Sequence, residues 1–113
     1  MTKYLITFPS AAMQLEPDEF EAVGADARRF VQSAKEAGVY VFAGGINEDV
    51  ASVMVHGDGS ATDETYPQTS ELDGGFCVLE LPTRDAAVEW SAKLAAACRT
   101  PQELREFMYD PQS

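Results

Sequence analysis

Basic residues are scarce in this sequence: 8 lysines and arginines stand against 19 aspartates and glutamates, so the formal net charge is −11. A surface of that sign repels the phosphates of nucleic acids and the anionic headgroups of membranes unless a basic patch offsets it. No such patch is visible along the chain. The sequence therefore predicts neither a nucleic-acid partner nor a membrane partner.

Residues that ligate metals or act as nucleophiles are also few. The chain has one histidine, His56, and two cysteines, Cys77 and Cys98, whose positions do not match the spacing of a zinc site. A calcium loop beginning at Asp58 would lack the glycine and the final glutamate that such a loop requires, and no glycine-rich phosphate loop is present. The sequence thus predicts no metal and no cofactor, and it favours buried, reduced cysteines.

Long apolar runs are missing as well. No segment approaches the ~20 apolar residues that cross a bilayer, and the N-terminus lacks the basic and apolar regions of a secretory signal. We therefore expect a cytoplasmic protein. Hydrophobic residues make up 45% and charged residues 24% of the 113 residues, which is typical of a globular protein with a single domain, here residues 1–113.

The N-terminal third of the chain predicts a strand, a helix and a second strand. Residues 2–8 are rich in aromatic and β-branched side chains and stop at Pro9, as strands do. Pro17 begins a helix that ends at Gly38, and residues 39–43 form the second strand. The apolar residues of the helix recur at steps of three and four: Phe20, Val23, Ala27, Phe30, Val31 and Ala34.

The middle of the chain predicts a hairpin followed by a loop and a further strand. Residues 52–56 are rich in β-formers, and the glycines and polar residues at 57–60 favour a chain reversal. A short strand and an irregular polar loop follow. Gly74-Gly75 then precedes the apolar strand 76–81, and the paired glycines indicate a bulge or a close approach of another backbone.

The C-terminal part predicts a second helix and a final strand. Thr83 is the expected N-cap, and the buried stripe of this helix consists of Ala87, Trp90, Leu94 and Ala97. Thr100 to Glu103 resembles the capping box of a third helix, whereas 105–109 can also alternate as a strand. We choose the strand because it completes a βαββαβ order, the α+β ferredoxin-like arrangement in which two helices cover one face of an antiparallel sheet.

Two of these strands lack the polar alternation of a solvated sheet face. Residues 39–43 are apolar throughout, and residues 76–81 are apolar except for Glu80. Strands of this kind are buried on both sides. Since both helices lie on one face, we predict that a second copy of the chain covers the other, giving a homodimer with its sheets packed face to face.

Several segments, in order and spacing, resemble the YCII-related domain proteins, specifically the branch with an Asp-Gly-Pro-Phe motif. The matching segments are Lys3-Tyr4-Leu5-Ile6, Ala37-Gly38-Val39, Thr62-Asp63, Glu71, Gly74-Gly75-Phe76 and the helix from Ala87 to Leu94. This chain departs from the branch with Asp63-Glu64-Thr65-Tyr66 at the motif and with Asp73 where the family usually has leucine. The resemblance implies a small bacterial protein with a dimeric ferredoxin-like α/β barrel, a cleft near the motif, and acid–base chemistry through a His–Asp pair.

The residues that we select as a candidate site lie around this motif. A cleft for an organic small molecule is predicted to be lined by Tyr4, Asp63, Tyr66 and Phe76. His56 and Asp63 lie on opposite arms of the predicted hairpin, where a carboxylate near an imidazole would raise its basicity for proton abstraction or elimination.

Two other interpretations stay open. The favoured interpretation of His56 is an exposed residue at the end of a strand, and Asp63 can instead form an Asx turn or cap. A small-molecule binding protein, an acid–base enzyme that uses Asp63 or His56, and a regulatory accessory whose acidic loop contacts another protein are therefore the three hypotheses.

Overall fold

A computed structural model describes all 113 residues. Six strands and two α-helices follow one another along the chain. They are β1 (Thr2–Phe8), α1 (Phe20–Glu36), β2 (Tyr40–Gly45), β3 (Met54–Val55), β4 (Ala61–Thr62), β5 (Gly75–Leu81), α2 (Arg84–Cys98) and β6 (Glu103–Glu106).

Four of the strands form the main sheet, in the order β2-β5-β1-β6 with antiparallel neighbours throughout. Both helices pack on one face of this sheet. Without the β3–β4 hairpin the element order is βαββαβ, so the predicted ferredoxin-like α+β fold is confirmed.

The core lies between the sheet and the helices. Tyr4 and Ile6 on β1, and Leu79 and Leu81 on β5, are at most 2% exposed, because alternate residues of each strand point toward the helices. Burying a side chain such as Ile6 or Leu79 contributes about 1.5–3 kcal/mol. The two helices meet through Phe30 and the predicted core residue Trp90, whose rings pack edge to face with centroids 5.9 Å apart.

Local sequence signals set the bounds of both helices. A short 3-10 turn at Pro17–Glu19, closed by a capping box between Glu16 and Glu19, leads into α1. The side chain of Thr83 accepts a hydrogen bond from the backbone N–H of Ala86 at the start of α2, as the sequence predicts. The buried stripe predicted for α2 is confirmed, since all four residues belong to the core or pack against it.

The tail forms a strand, as predicted, but two residues earlier than expected. β6 spans Glu103–Glu106 and not 105–109, because Leu104 pairs with Ile6 of β1 and packs against the core. Tyr109 lies beyond the strand and is 80% exposed. The capping-box residues do not begin a helix, since Thr100 is buried directly after α2 and its hydroxyl donates to the carbonyl of Cys98.

The predicted hairpin with its reversal at 57–60 is confirmed, but the expected strand at 52–56 is too long. Only Met54–Val55 is extended there, and it pairs with Ala61–Thr62 in a separate two-stranded sheet. Residues 46–73, which we call the arm, are nearly all exposed. The radius of gyration is 15.8 Å, compared with about 13 Å for a compact chain of this length, so the arm extends away from the main sheet.

The sheet face opposite the helices, which we call the open face, carries apolar residues between charged ones. Leu5, Phe76 and Val78 are half-buried there, and Phe42 is 55% exposed. The charged residues are paired: Lys3 Nζ lies 3.2 Å from Glu80, and the Arg105 guanidinium lies 3.3 Å from Glu103. None of the helices is both long and apolar enough to span a membrane.

Candidate functional site

A cavity, which we call the α1 cavity, lies between α1 and the helix-covered face of the sheet. Its volume is about 580 Å³, within the range of small-molecule sites. Its walls come from both helices, from the last residues of β1 and β2 and the segments that follow them, from the first residues of β5, and from the segment after α2. Hydrophobic residues supply 14 of the 23 that line it, so an apolar ligand body would be well accommodated.

The apolar stripe of α1 divides its residues between the core and this cavity. Ala34 lies only in the core, Phe30 and Val31 contact both the core and the cavity, and Phe20 and Ala27 line the cavity. Phe20 is 59% exposed even though the helical spacing predicts a buried position. The N-terminal half of α1 thus forms a wall whose apolar side chains face an open space.

The rim of the cavity depends on Gly74. Its φ is +85°, and a Cβ there would lie 2.0 Å from the carbonyl oxygen of Phe8. The carbonyl of Gly74 accepts from the N–H of Ile46 at 2.9 Å, and the carboxylate of Asp73 accepts from the N–H of Ser10 at 3.0 Å. The close backbone approach predicted at the paired glycines is confirmed, and it joins the ends of β1 and β2 to the start of β5.

A few polar groups interrupt the apolar wall. The hydroxyl of Ser10 donates to the Glu48 carboxylate at 2.5 Å, and both residues lie at the cavity. The side-chain amide of Gln102 donates to the carbonyl of Thr100 at 2.9 Å, while its Oε1 is buried without a protein hydrogen-bond partner. Arg28 also lines the cavity. These are the groups that can orient a ligand.

Both cysteines line the cavity as buried free thiols. Burial raises the pKa of Cys77 to about 11, and the nearby Cys98 adds to the shift. Burial also raises the pKa of Cys98, which Arg99 partly offsets. Because the thiolate is the nucleophilic form, neither cysteine is activated for chemistry near neutral pH.

The predicted site residues occupy three separate places. Phe76 borders the α1 cavity, although strand alternation places its side chain on the open face. Tyr4 is 2% exposed in the core, where burial and the Glu106 carboxylate raise its pKa and Arg84 lowers it. His56, Asp63 and Tyr66 are exposed on the arm. The structure does not bring these five side chains into a common cleft.

The hairpin register also separates His56 from Asp63. The N–H of His56 donates to the carbonyl of Ser60 at 2.8 Å, and Met54 pairs with Thr62. Asp63 therefore lies three residues, or about 10 Å, along the ribbon from the residue opposite His56.

Sequence reasoning missed the polar residues of the cavity. Arg28 follows Ala27 of the apolar stripe, and its position beside that stripe is the one signal that could have drawn attention to it. Glu48 lies on the arm and Gln102 follows α2, and nothing in their local sequence indicates a shared site. Their meeting depends on how three distant segments fold together.

The fold and the cavity define a small ferredoxin-like α+β protein with a ligand-sized apolar space under its first helix. The family model of the YCII-related domain matches residues 2–104. The chain therefore belongs to the YCII-related domain family, as its resemblance to these proteins indicates. A comparison with curated proteins gave no match.

Proposed function

We propose that this protein binds an organic small molecule in the α1 cavity. The observation that carries this proposal is the cavity itself: about 580 Å³ of mostly apolar space. Sites for small organic ligands combine this size with apolar walls and a few polar groups from different elements. Here those groups come from α1, the arm and the segment after α2. The cavity borders Gly74-Gly75-Phe76, one of the segments that resemble the family, whereas Asp63 and Tyr66 of the motif lie on the arm.

The state of the apolar walls supports a ligand. Apolar side chains that face an open space lack partner atoms and lose the dispersion attraction that packing provides. Water in such a space makes few hydrogen bonds with them. An organic ligand would cover Phe20, Ala27 and Val31, which α1 leaves against this open space. Binding would therefore bury apolar surface of α1 that the protein itself does not cover.

A substitution that fills the cavity tests the proposal. Ala27→Phe places a ring in the cavity, and Ala22→Phe places the same ring on an exposed position of the same helix. We expect aromatic and aliphatic organic compounds to raise the melting temperature of wild type and of Ala22→Phe, and to have no effect on Ala27→Phe. Compounds that stabilise Ala27→Phe as strongly as wild type would place binding elsewhere.

We further propose that a second copy of the chain covers the open face. In support, Leu5, Phe42 and Val78 form an apolar patch whose neighbouring charges are already paired, so two such faces can meet without uncompensated charge. Val78→Lys should yield monomers in sedimentation at micromolar concentration, whereas Val88→Lys, on the exposed side of α2, should not. A wild-type chain that sediments at 12.3 kDa would refute the homodimer.

The arm favours a second candidate function, in which it contacts another protein. The arm exposes large apolar side chains by more than half, beside the acidic residues of the same loop: Val50, Val53, Val55 and Tyr66.

Three points stay predictions from the sequence: acid–base chemistry through Asp63 or His56, membership of the Asp-Gly-Pro-Phe branch, and a cytoplasmic location. The variant Asp63→Asn tests the acid–base chemistry. If it binds the ligand as wild type does but no longer converts it, Asp63 takes part in catalysis.

A further inference from the structure

The β3–β4 hairpin is a two-stranded sheet that no other element covers. It is separate from the main sheet, and no residue of either strand belongs to the core or packs against it. Two-stranded ribbons are marginally stable in water, and a third strand or a packed layer stabilises them. The chain itself does not supply that contact, so a partner would stabilise the hairpin.

One face of this hairpin is apolar and exposed. Val53, which directly precedes β3, and Val55 are two residues apart and share a face of the ribbon; they are 52% and 67% exposed. Ala61 pairs with Val55, so it lies on the same face and is also exposed. Met54 and Thr62 pair on the opposite face and are half-buried. The apolar side chains are thus on the side toward solvent, which we call the hairpin face.

The charge of the arm has a single sign. Residues 46–73 contain seven of the 19 acidic residues and none of the eight lysines and arginines. Asp63 lies at the edge of the hairpin face, because it directly follows β4 and the register of the ribbon places it opposite Val53. A surface of this sign attracts basic partners and repels acidic ones.

The same charge disfavours a second copy of the chain as the occupant of the hairpin face. Two arms would bring carboxylates together without a cation between them. In the rest of the chain, six of the eight lysines and arginines already lie beside a carboxylate or an aromatic ring, so a second copy offers the arm few free cations. The occupant that fits is a segment of a different protein.

We propose that the hairpin face binds an extended basic segment of another protein, in which lysine or arginine alternates with apolar side chains. The apolar side chains cover Val53, Val55 and Ala61, and a cation lies next to Asp63. An extended segment fits because it can pair with an outer edge of the ribbon as a third strand. Residues 50–62 contain no proline or lysine, the residues that commonly block such an edge. This inference rests on the second candidate function, contact of the arm with another protein, and adds the chemistry of the partner.

Labelled peptides of equal length test the proposal by fluorescence anisotropy at physiological ionic strength. One peptide alternates lysine with valine, one alternates lysine with serine, and one alternates glutamate with valine. The second lacks the apolar contact and the third has the wrong sign of charge. We expect the lysine–valine peptide to bind about tenfold more tightly than either of the others.

Two variants of the hairpin face and two matched controls locate the binding. Val55→Thr keeps the branched shape and removes apolar surface, and Asp63→Asn removes the charge and keeps the size. Each should weaken binding of the lysine–valine peptide by about threefold to fivefold. Val88→Thr and Glu89→Gln make comparable changes at exposed positions of α2 and should leave the affinity unchanged.

The outcomes separate this proposal from the candidate function on which it rests. If the lysine–serine peptide binds wild type as tightly, or Glu89→Gln weakens binding as much as Asp63→Asn, overall charge explains the binding and the proposal is overturned. Tight binding of the glutamate–valine peptide that Val55→Thr weakens would overturn it while contact through the arm stands. If sedimentation shows wild-type oligomers that both hairpin variants dissociate, the occupant is a second copy and the proposal fails. If no peptide distinguishes Val55→Thr from Val88→Thr, contact through the arm fails as well.

Discussion

Gly74 shows how one residue without a side chain holds three segments together. Its positive φ disfavours any L side chain, and the space where a Cβ would stand is occupied by the backbone of Phe8 and Ser10. A substitution there must therefore open the junction between the ends of β1 and β2 and the start of β5. That junction is also the rim of the α1 cavity.

Gly74→Ala should destabilise the protein by about 3 kcal/mol or more, because it adds a steric clash to an unfavourable φ. Gly59→Ala is the matched control. Gly59 has a φ of +89°, but nothing lies within 4 Å of its would-be Cβ, so the cost should be only about 1 kcal/mol. Urea unfolding of the two variants measures the difference. If both variants lose the same free energy of unfolding, the backbone at the junction moves apart at little cost.

The raised pKa of Cys77 makes stability depend on alkaline pH. The folded thiol titrates at about 11 and the ordinary value is 9.0, so the unfolded chain releases this proton first as the pH rises. The stabilisation is complete below pH 9 and is lost as the pH approaches 11. Urea unfolding across this range should show a steeper loss in wild type than in Cys77→Ala. Parallel losses would contradict the burial of this thiol.

At the scale of elements, α1 serves two purposes along one stripe. Its C-terminal half packs against β2 and α2, while its N-terminal half forms a cavity wall. Gly24 lies in the N-terminal half, where a Cβ would make only an ordinary contact with the Arg28 guanidinium. The helix therefore does not need glycine at this position for packing.

Gly24→Ala should stabilise the protein by about 0.5–1 kcal/mol through helix propensity. The reverse change at an exposed position of the same helix, Ala22→Gly, should destabilise it by a similar amount. Thermal or urea unfolding measures both. A destabilised Gly24→Ala variant would mean that the Arg28 side chain cannot move aside, and that close packing explains the glycine after all.

The sequence predicts most elements because their signals are local. Alternating residues define β1, a proline and a capping box define the start of α1, and Thr83 defines the start of α2. The β3–β4 hairpin and the bounds of β6 are predicted less well, because short polar strands have little periodicity and their extent depends on a partner strand. Ile6 fixes the position of Leu104, and no local signal could have supplied that register.

At the scale of the whole molecule, the main sheet and the arm are distinct parts. Ile46 and Gly74 are hydrogen-bonded where β2 and β5 end and begin, so the two ends of the arm are adjacent. The core contains no residue of the arm. The main sheet with its helices should therefore be stable without it.

Replacing residues 47–73 by Asn-Gly should turn β2 and β5 into a direct hairpin. We expect a folded protein whose radius of gyration falls from 15.8 Å to about 12 Å, because the core is intact and a shorter loop has a lower closure entropy. Circular dichroism and small-angle scattering measure both effects. An unfolded product would show that the contacts of Ser10 with Glu48 and Asp73 are indispensable.

By itself, the sequence determined the secondary structure, the ferredoxin-like order of elements and the need for glycine before β5, because each follows from short-range patterns of side-chain type. Only the tertiary structure decided the site. It left Asp63, His56 and Tyr66 exposed on the arm and Tyr4 in the core, and it brought Arg28, Glu48 and Gln102 to one cavity. A cavity exists where distant segments fail to fill the space between them, and no segment carries that information alone.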